Sequence, residues 1–248
     1  MLRVINADRQ ANGLPPVAWD VTAAEVGALH AEAMADQAFF SHWSPDGVGP
    51  DLRYSRVGGR DAVMENIYTF AYRFNDGSAA PIDDFAALVR QAQAALMQSP
   101  GHRRNILTPT HTHVGVGFAY NPSTGSFYLA QEFLGRYVVV DALPAMAQVG
   151  DTIVVSGQLL PGATEPLVNV TYEPLPSPMS IEELNATGSY QRDATIYASS
   201  QPSLAENGTF QATVALDNAG RAGMYSVRVW VRVGAEQVLA SEQFLLVR

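Results

Sequence analysis

An α+β region followed by an all-β region is the fold class the sequence predicts over its 248 residues. Three observations predict it. Apolar residues recur at helical spacing several times before residue 100, and residues 113–134 then alternate as strands. A stretch marked by Pro144 and Gly150 ends that pattern. Beyond it, strand-like runs alternate with turn residues and no long helical pattern returns. The expected organisation is therefore 1–141 as the α+β domain, 142–149 as a linker and 150–248 as a β-sandwich.

Leu2, Ile5 and Arg9 predict an opening helix that stops at Asn12-Gly13, where a helix end tolerates positive φ. Leu14-Pro15-Pro16 is an extended break. Asp20 or Thr22 caps a second helix, with Val26, Leu29, Ala33 and Met34 at helical spacing. Pro45-Asp46-Gly47 is a turn. A helix opening at Asp61 is expected to carry Met64, Glu65 and Tyr68. Pro81 precedes a long helical pattern through Ile82, Phe85, Leu88, Val89, Ala92 and Leu96, which Pro100-Gly101 ends. His113–Tyr120 and Ser126–Leu134 read as strands joined by the turn residues 121–125, and Arg136–Val140 as another.

In the second region the strand candidates are Asp151–Leu159, Leu167–Glu173, Asp193–Ser199, Thr209–Leu216, Met224–Val233 and Val238–Val247. Gly223-Met224-Tyr225-Ser226-Val227 resembles strand F of immunoglobulin-type domains, with Val227 in place of the cysteine and Tyr225 as a tyrosine-corner residue. Pro174–Gly188 is polar and proline-rich, and is expected to be a long exposed connection.

Composition removes many function classes. Hydrophobic residues make up 47% and charged residues 16%, as in a globular protein with a substantial core. Net charge is -9 with no basic run, which argues against nucleic acid and anionic membranes as partners. All 15 basic residues are Arg, so Schiff-base and P-loop lysines are excluded. The chain has no Cys, which excludes disulfides, thiol catalysis and cysteine–zinc sites. No apolar run reaches the length of a membrane span. Helix-like sequence begins at Leu2 with no signal peptide before it, as expected of a cytoplasmic protein or of one whose leader has been removed.

Chemistry concentrates in three stretches: Phe40–Gly47, Met64–Tyr68 and Ser99–Leu107. They supply His42, Glu65 and His102. Two imidazoles and a carboxylate are enough protein ligands for Zn²⁺ or another divalent metal with a water in the open position, or they can pass a proton. Alternatively, the three residues hydrogen-bond one another and fix the loops around a cavity. Ser41 and Ser99 stand near the histidines, but there is no Gly-x-Ser-x-Gly elbow, and triads assemble from distant positions. Ser99 reads as a helix-end residue. His30 reads as a packed core residue, and Trp19 and Trp43 as core or cavity wall. His111 and His113 are either a strand-entry segment or a His-x-His metal pair. Arg103 and Arg104 read as a solvated helix face, and Asn66 as a former of backbone hydrogen bonds at a turn or helix start. Asn169, Asn185 and Asn207 each begin an Asn-x-Thr sequence.

Residues 2–134 resemble the bacterial form of the CAP superfamily (SCP-like; cysteine-rich secretory, antigen 5 and pathogenesis-related proteins). The resemblance is carried by Asn6 and Arg9, Gly13–Pro16, Trp19-Asp20, Phe40-Ser41-His42, Glu65-Asn66-Ile67, Ser99–Leu107, Val114–Gly117 and Gln131-x-Phe133, in that order. It implies a three-layer α/β/α sandwich with an antiparallel sheet, and export to the outside or to the cell surface. It also implies a cavity holding two His and two acids. His42, Glu65 and His102 match three of these. Met64 replaces the family glycine, and the second acid has no clear match, Ser99 lying near its place.

The functions expected from these residues fall into three classes. The first is a binding module whose cavity holds a divalent metal or a small or apolar ligand, with a lipid or cell-surface component as partner. The second is a metal-assisted hydrolase or peptidase on the same centre, for which no catalytic residue is assigned beyond the candidate Glu65. The third is a structural surface protein that interacts through its β-sandwich.

Overall fold

The computed structural model describes residues 1–80, 82, 84–192 and 194–248. The readings of Pro81 as a helix start and Asp193 as a strand start lie outside the described residues. The chain forms two compact units. The first comprises Met1–Arg53, Val63–Phe133 and Pro178–Tyr190, and the second Tyr54–Ala62, Leu134–Ser177 and Gln191–Arg248.

The first unit is built on α1 (Leu2–Ala11), β1 (Ala18–Trp19), α2 (Val21–Gln37), the start of α3 (Pro50–Arg56), β2 (Val63–Ala71), α4 (Phe85–Gln98), α5 (Pro100–Ile106), β3 (His113–Asn121) and β4 (Ser126–Leu134). The strands form one sheet in the order β1-β3-β4-β2, with β1 parallel to β3. Every residue of β4 is buried. That is expected of a central strand covered on both faces, and each face has its own apolar core. Phe127, Leu129 and Phe133 pack with Ile5, Leu88, Leu96 and Ile106 of α1, α4 and α5. Tyr128 and Ala130 pack with Ala31, Met34 and Phe39 at α2. The result is the expected helix–sheet–helix arrangement.

Local signals explain the helix ends. Asn12 ends α1 and Gly13 follows at φ 74°. Asp20 caps α2, its Oδ1 accepting from Ala23 N at 2.8 Å. Ser99 ends α4 and is also the N-cap of α5, with Pro100 in the first turn, so Pro100-Gly101 opens a helix as well as closing one. Arg9 is fully buried. Its guanidinium donates to Pro15 O, Ile106 O, Thr108 O and His111 O at 2.8–3.2 Å, so one side chain closes four backbone carbonyls of the flanking loops.

Two expectations fail in this unit. Met64, Glu65 and Tyr68 lie on strand β2, not on a helix. Residues 63–71 alternate with period two: Tyr68 and Phe70 join the core beneath α4 and α5, and Ile67 joins the core beneath α2. Trp19 is 42% exposed and is not a core residue.

The second unit has two sheets, ordered β10-β11-β7-β5 and β6-β13-β12-β8-β9. Its strands are β5 (Val138–Val140), β6 (Met146–Ala147), β7 (Thr152–Leu159), β8 (Ala163–Glu173), β9 (Thr195–Ser200), β10 (Ser203–Leu204), β11 (Thr209–Ala215), β12 (Gly223–Val233) and β13 (Glu236–Val247). Val155, Phe210 and Val214 of one sheet share a core with Val168, Val170, Val227 and Val229 of the other. Tyr225 is buried and its hydroxyl donates to Arg221 O at 2.7 Å, the backbone closure that defines a tyrosine corner.

The stretch read as an exposed connection is partly ordered onto the first unit. It contains α6 (Ile181–Ala186), which opens with a Ser180–Glu183 capping box. Leu184 is fully buried beside Met34, Phe39 and Ile67. Six residues are too few to establish a helical period, and the flanking prolines read as loop, which is why this short helix leaves little pattern in the sequence.

Candidate functional site

His42 follows α2, Glu65 lies on edge strand β2 and His102 lies in α5, so the three elements carry the three residues to one place. His42, Glu65 and His102 all line a cavity of about 420 Å³. Val63, Met64 and Asn66 of β2 form its floor with Glu65, Gly101 and Asn105 come from α5, and Gly188, Ser189 and Tyr190 complete the wall.

The Glu65 carboxylate is buried and fully engaged. Its Oε1 accepts from His42 Nδ1 at 2.7 Å and its Oε2 from Arg53 Nη2 at 2.7 Å. A carboxylate can only accept, so the His42 Nδ1 carries a proton and Nε2 is the ring nitrogen left for a ligand. Burial pushes the Glu65 carboxyl up, but the Arg53 guanidinium, with His30 and His42, outweighs it and holds the group well below the usual carboxylate range. Arg53 also donates to His42 O at 2.7 Å and Val48 O at 3.1 Å, tying the His42 loop to α3. His102 is half-buried, and burial, followed by the nearby His42 charge, lowers its pKa.

A family model described as "Cysteine-rich secretory protein family" (CAP) matches residues 2–133. The chain belongs to the CAP family. Over 137 residues it is 31% identical to the uncharacterised protein YkwD of Bacillus subtilis, covering 55% of this chain and 46% of that one. It is also 31% identical over 139 residues to the uncharacterised membrane protein YlbC of the same organism, covering 55% and 34%. The chain thus spans less than half the length of these curated relatives. Among solved structures, an extracellular protein containing a SCP domain from Bacillus anthracis is 30% identical, with TM-score 0.40 over 55% of this chain and 40% of that one. An outer surface protein of Borrelia burgdorferi is 12% identical, with TM-score 0.44 over 54% and 90%.

In this CAP domain a second acid does stand near Glu65, on a strand the sequence predicts but at a position to which it assigns no role. Glu132, the middle residue of Gln131-x-Phe133, is fully buried on β4. Burial, and then the Glu65 charge, raise its pKa well above the ordinary value, so it is a neutral acid beside an ionised one. A hydrogen bond between the two carboxyl groups acts in the same direction, the protonated Glu132 being the donor to Glu65. Period two could have found it, since Glu132 shares a face with the buried Tyr128 and Ala130. His30, also buried, donates from Nε2 to Ser41 O at 2.8 Å. Burial and Arg53 lower its pKa to about 4, so it is neutral in the core, as expected of a packed histidine.

The remaining CAP motif residues form a chain of buried amides. Gln93 donates to Asp8 at 2.7 Å, Gln131 to Gln93 at 2.8 Å and Asn66 to Gln131 at 3.2 Å. Asn105 donates to Asn66 at 3.0 Å, and His111 Nε2 meets Asn105 Oδ1 at 2.8 Å. Asn66 therefore works through side chains more than through the turn contacts expected. His111 stacks on Phe133 at 5.1 Å, while His113 bonds Thr112 Oγ1 at the start of β3. The His-x-His pair thus serves as strand entry, and Arg103 bonds Asn12 on an exposed face.

The donor set does not fit the three-ligand metal centre that the sequence suggests. Both Glu65 oxygens are taken, one by a guanidinium whose charge opposes a cation nearby. Among the described residues, no group of three or more His, Asp or Glu side chains is disposed to hold a metal ion. Glu65 instead orients the His42 ring and balances Arg53. Ser41 is buried, and its Oγ accepts from Trp43 N at 3.0 Å and bonds Thr187 Oγ1 at 2.6 Å. Thr187 itself donates to Leu184 O, so the Ser41 proton points to Thr187 and not to a histidine.

Proposed function

We propose that the CAP domain is a binding module for a small, uncharged, partly apolar molecule, working outside the cell or at its surface. The observation that carries this reading is the cavity that gathers His42, Glu65 and His102 beside apolar Val63, Met64 and Pro50. Its volume falls in the range of small-molecule sites. Its buried charge is balanced internally, so a neutral ligand meets no uncompensated ion, and the His42 Nε2 and His102 imidazole offer hydrogen bonds to orient it. A lipid or a cell-surface component fits this chemistry better than a metal ion does. The extracellular description of the Bacillus anthracis relative supports the location. No helix among the described residues is long and apolar enough to cross a membrane.

An enzymatic role finds less support. A carboxylate held at low pKa by Arg53 is a weak general base, and the proton of Ser41 is committed elsewhere. The second unit is read as an immunoglobulin-like spacer or docking domain, supported by its two packed sheets and the Tyr225 closure.

The test is a fluorescence titration of the full chain with the neutral apolar dye Nile red. Saturable binding is expected, weakened about tenfold or more by Met64→Glu, which places a charge in the apolar lining. Non-saturable binding, or binding that Met64→Glu leaves unchanged, contradicts the proposal.

A further inference from the structure

We infer that residues 178–190 are a selectivity wall of the CAP cavity, with Tyr190 as its specificity-determining residue. The inference rests on the cavity being the ligand site and adds what sets its size and access.

The segment is seated by contacts spread along its length. Met179 N donates to Pro45 O at 2.8 Å, and Leu184 is buried in the core beneath α2. Asn185 Oδ1 accepts from Phe40 N at 2.7 Å, and Thr187 Oγ1 bonds Ser41 Oγ at 2.6 Å. At the far end the Tyr190 hydroxyl donates to Asp51 Oδ1 at 2.6 Å. These partners flank His42 in sequence, so the segment grips the very loop that presents the imidazole.

Tyr190 fills a place made for it. Its ring lies 4.8 Å from that of Trp43 and 6.3 Å from that of His42. Gly49 is buried against it, and a Cβ there would come within 2.1 Å of the Tyr190 hydroxyl oxygen. The imidazole of His42 is thus held at Nδ1 by Glu65 and neighboured by the Tyr190 ring. A Cβ on Gly188 would meet nothing within 4 Å, so the lining there is open space. The wall brings one aromatic face, one hydroxyl and no charge. It therefore favours a small uncharged ligand with an apolar face to lie against Tyr190 and a polar end to reach the histidines.

The experiment is acylation of histidine by diethyl pyrocarbonate, a small neutral electrophile, followed residue by residue by mass spectrometry on the full chain. Three proteins are compared: wild type, Tyr190→Ala and Gly188→Trp. His30 and His111 are buried and serve as reporters of the fold. Tyr190→Ala is expected to raise the rates at His42 and His102 several-fold, and Gly188→Trp to lower them several-fold, with His113 unchanged in both. If Tyr190→Ala loosens the fold, His30 and His111 become reactive and Gly188→Trp, which removes no contact, decides the matter. Rates at His42 and His102 that match wild type in Gly188→Trp overturn the wall. This readout measures access to the rings whether or not a ligand binds, so its failure is separate from failure of the dye titration.

Discussion

Glu65 and Glu132 are both buried and near each other, yet one is ionised and the other neutral. Arg53 and His42 donate two hydrogen bonds to Glu65 and stabilise its charge, whereas burial, the Glu65 charge and a hydrogen bond with Glu65 keep Glu132 protonated. Glu65→Gln leaves Arg53 in a buried place without its counter-charge and should cost about 3 kcal/mol or more. Glu132→Gln replaces a neutral acid by a neutral amide of the same shape and should cost about 1 kcal/mol or less. Urea unfolding midpoints of the two variants check this contrast. The histidines give a pH dependence. His30 and His111 have folded pKa values of about 4 and about 3, against 6.5 in the unfolded chain. Burial is the first cause for both, followed by Arg53 for His30 and Arg9 for His111. Below pH 6.5 the unfolded chain takes up protons that the folded rings refuse, so stability falls as pH drops toward 4. Glu132 acts oppositely above the ordinary carboxylate pKa, because it keeps a proton that the unfolded chain releases. His30→Gln should reduce the slope between pH 6.5 and 4 by one proton, about 1.4 kcal/mol per pH unit, measured by urea unfolding across that range.

At the scale of elements, α2 meets β3 backbone to backbone at two glycines, without side chains between. A Cβ on Gly115 would fall 2.0 Å from Ala24 N, and one on Gly117 1.9 Å from Ala28 N. The Val-Gly-Val-Gly pattern thus lets α2 rest directly on β3, with Gly27 of the helix facing Gly117. Gly115→Ala or Gly117→Ala must push the helix off the sheet and should cost about 3 kcal/mol or more. Gly101→Ala, open around its Cβ and inside α5, should gain up to about 1 kcal/mol, and thermal unfolding of the three variants compares them. Most elements of this unit were legible in the sequence because a cap, a turn residue and a period agreed, as at Asp20 and at Asn12-Gly13. β2 was not, because Met64, Glu65 and Tyr68 satisfy helical spacing as well as strand alternation, and only pairing beside β4 decides between them. α6 was not, because it is only six residues long and Ile181 and Leu184, its one helically spaced apolar pair, are too few to establish a period.

For the whole molecule, the three site residues were legible as chemistry but not as geometry. Sequence spacing identifies His42, Glu65 and His102 as candidates. It does not reveal that Arg53, a residue of an ordinary short helix, occupies the second oxygen of Glu65, or that Tyr190 arrives from a distant part of the chain to line the same cavity. Such contacts span long stretches of sequence and leave no local pattern. They change the reading from a metal-ligand triad to an internally balanced cavity. Calorimetric titration of the full chain with Zn²⁺ at neutral pH, on wild type and Glu65→Gln, tests that claim most directly. Weak heats without a one-to-one endpoint, altered little by Glu65→Gln, are expected if Glu65 is committed to His42 and Arg53. A one-to-one Zn²⁺ complex that Glu65→Gln abolishes would contradict it.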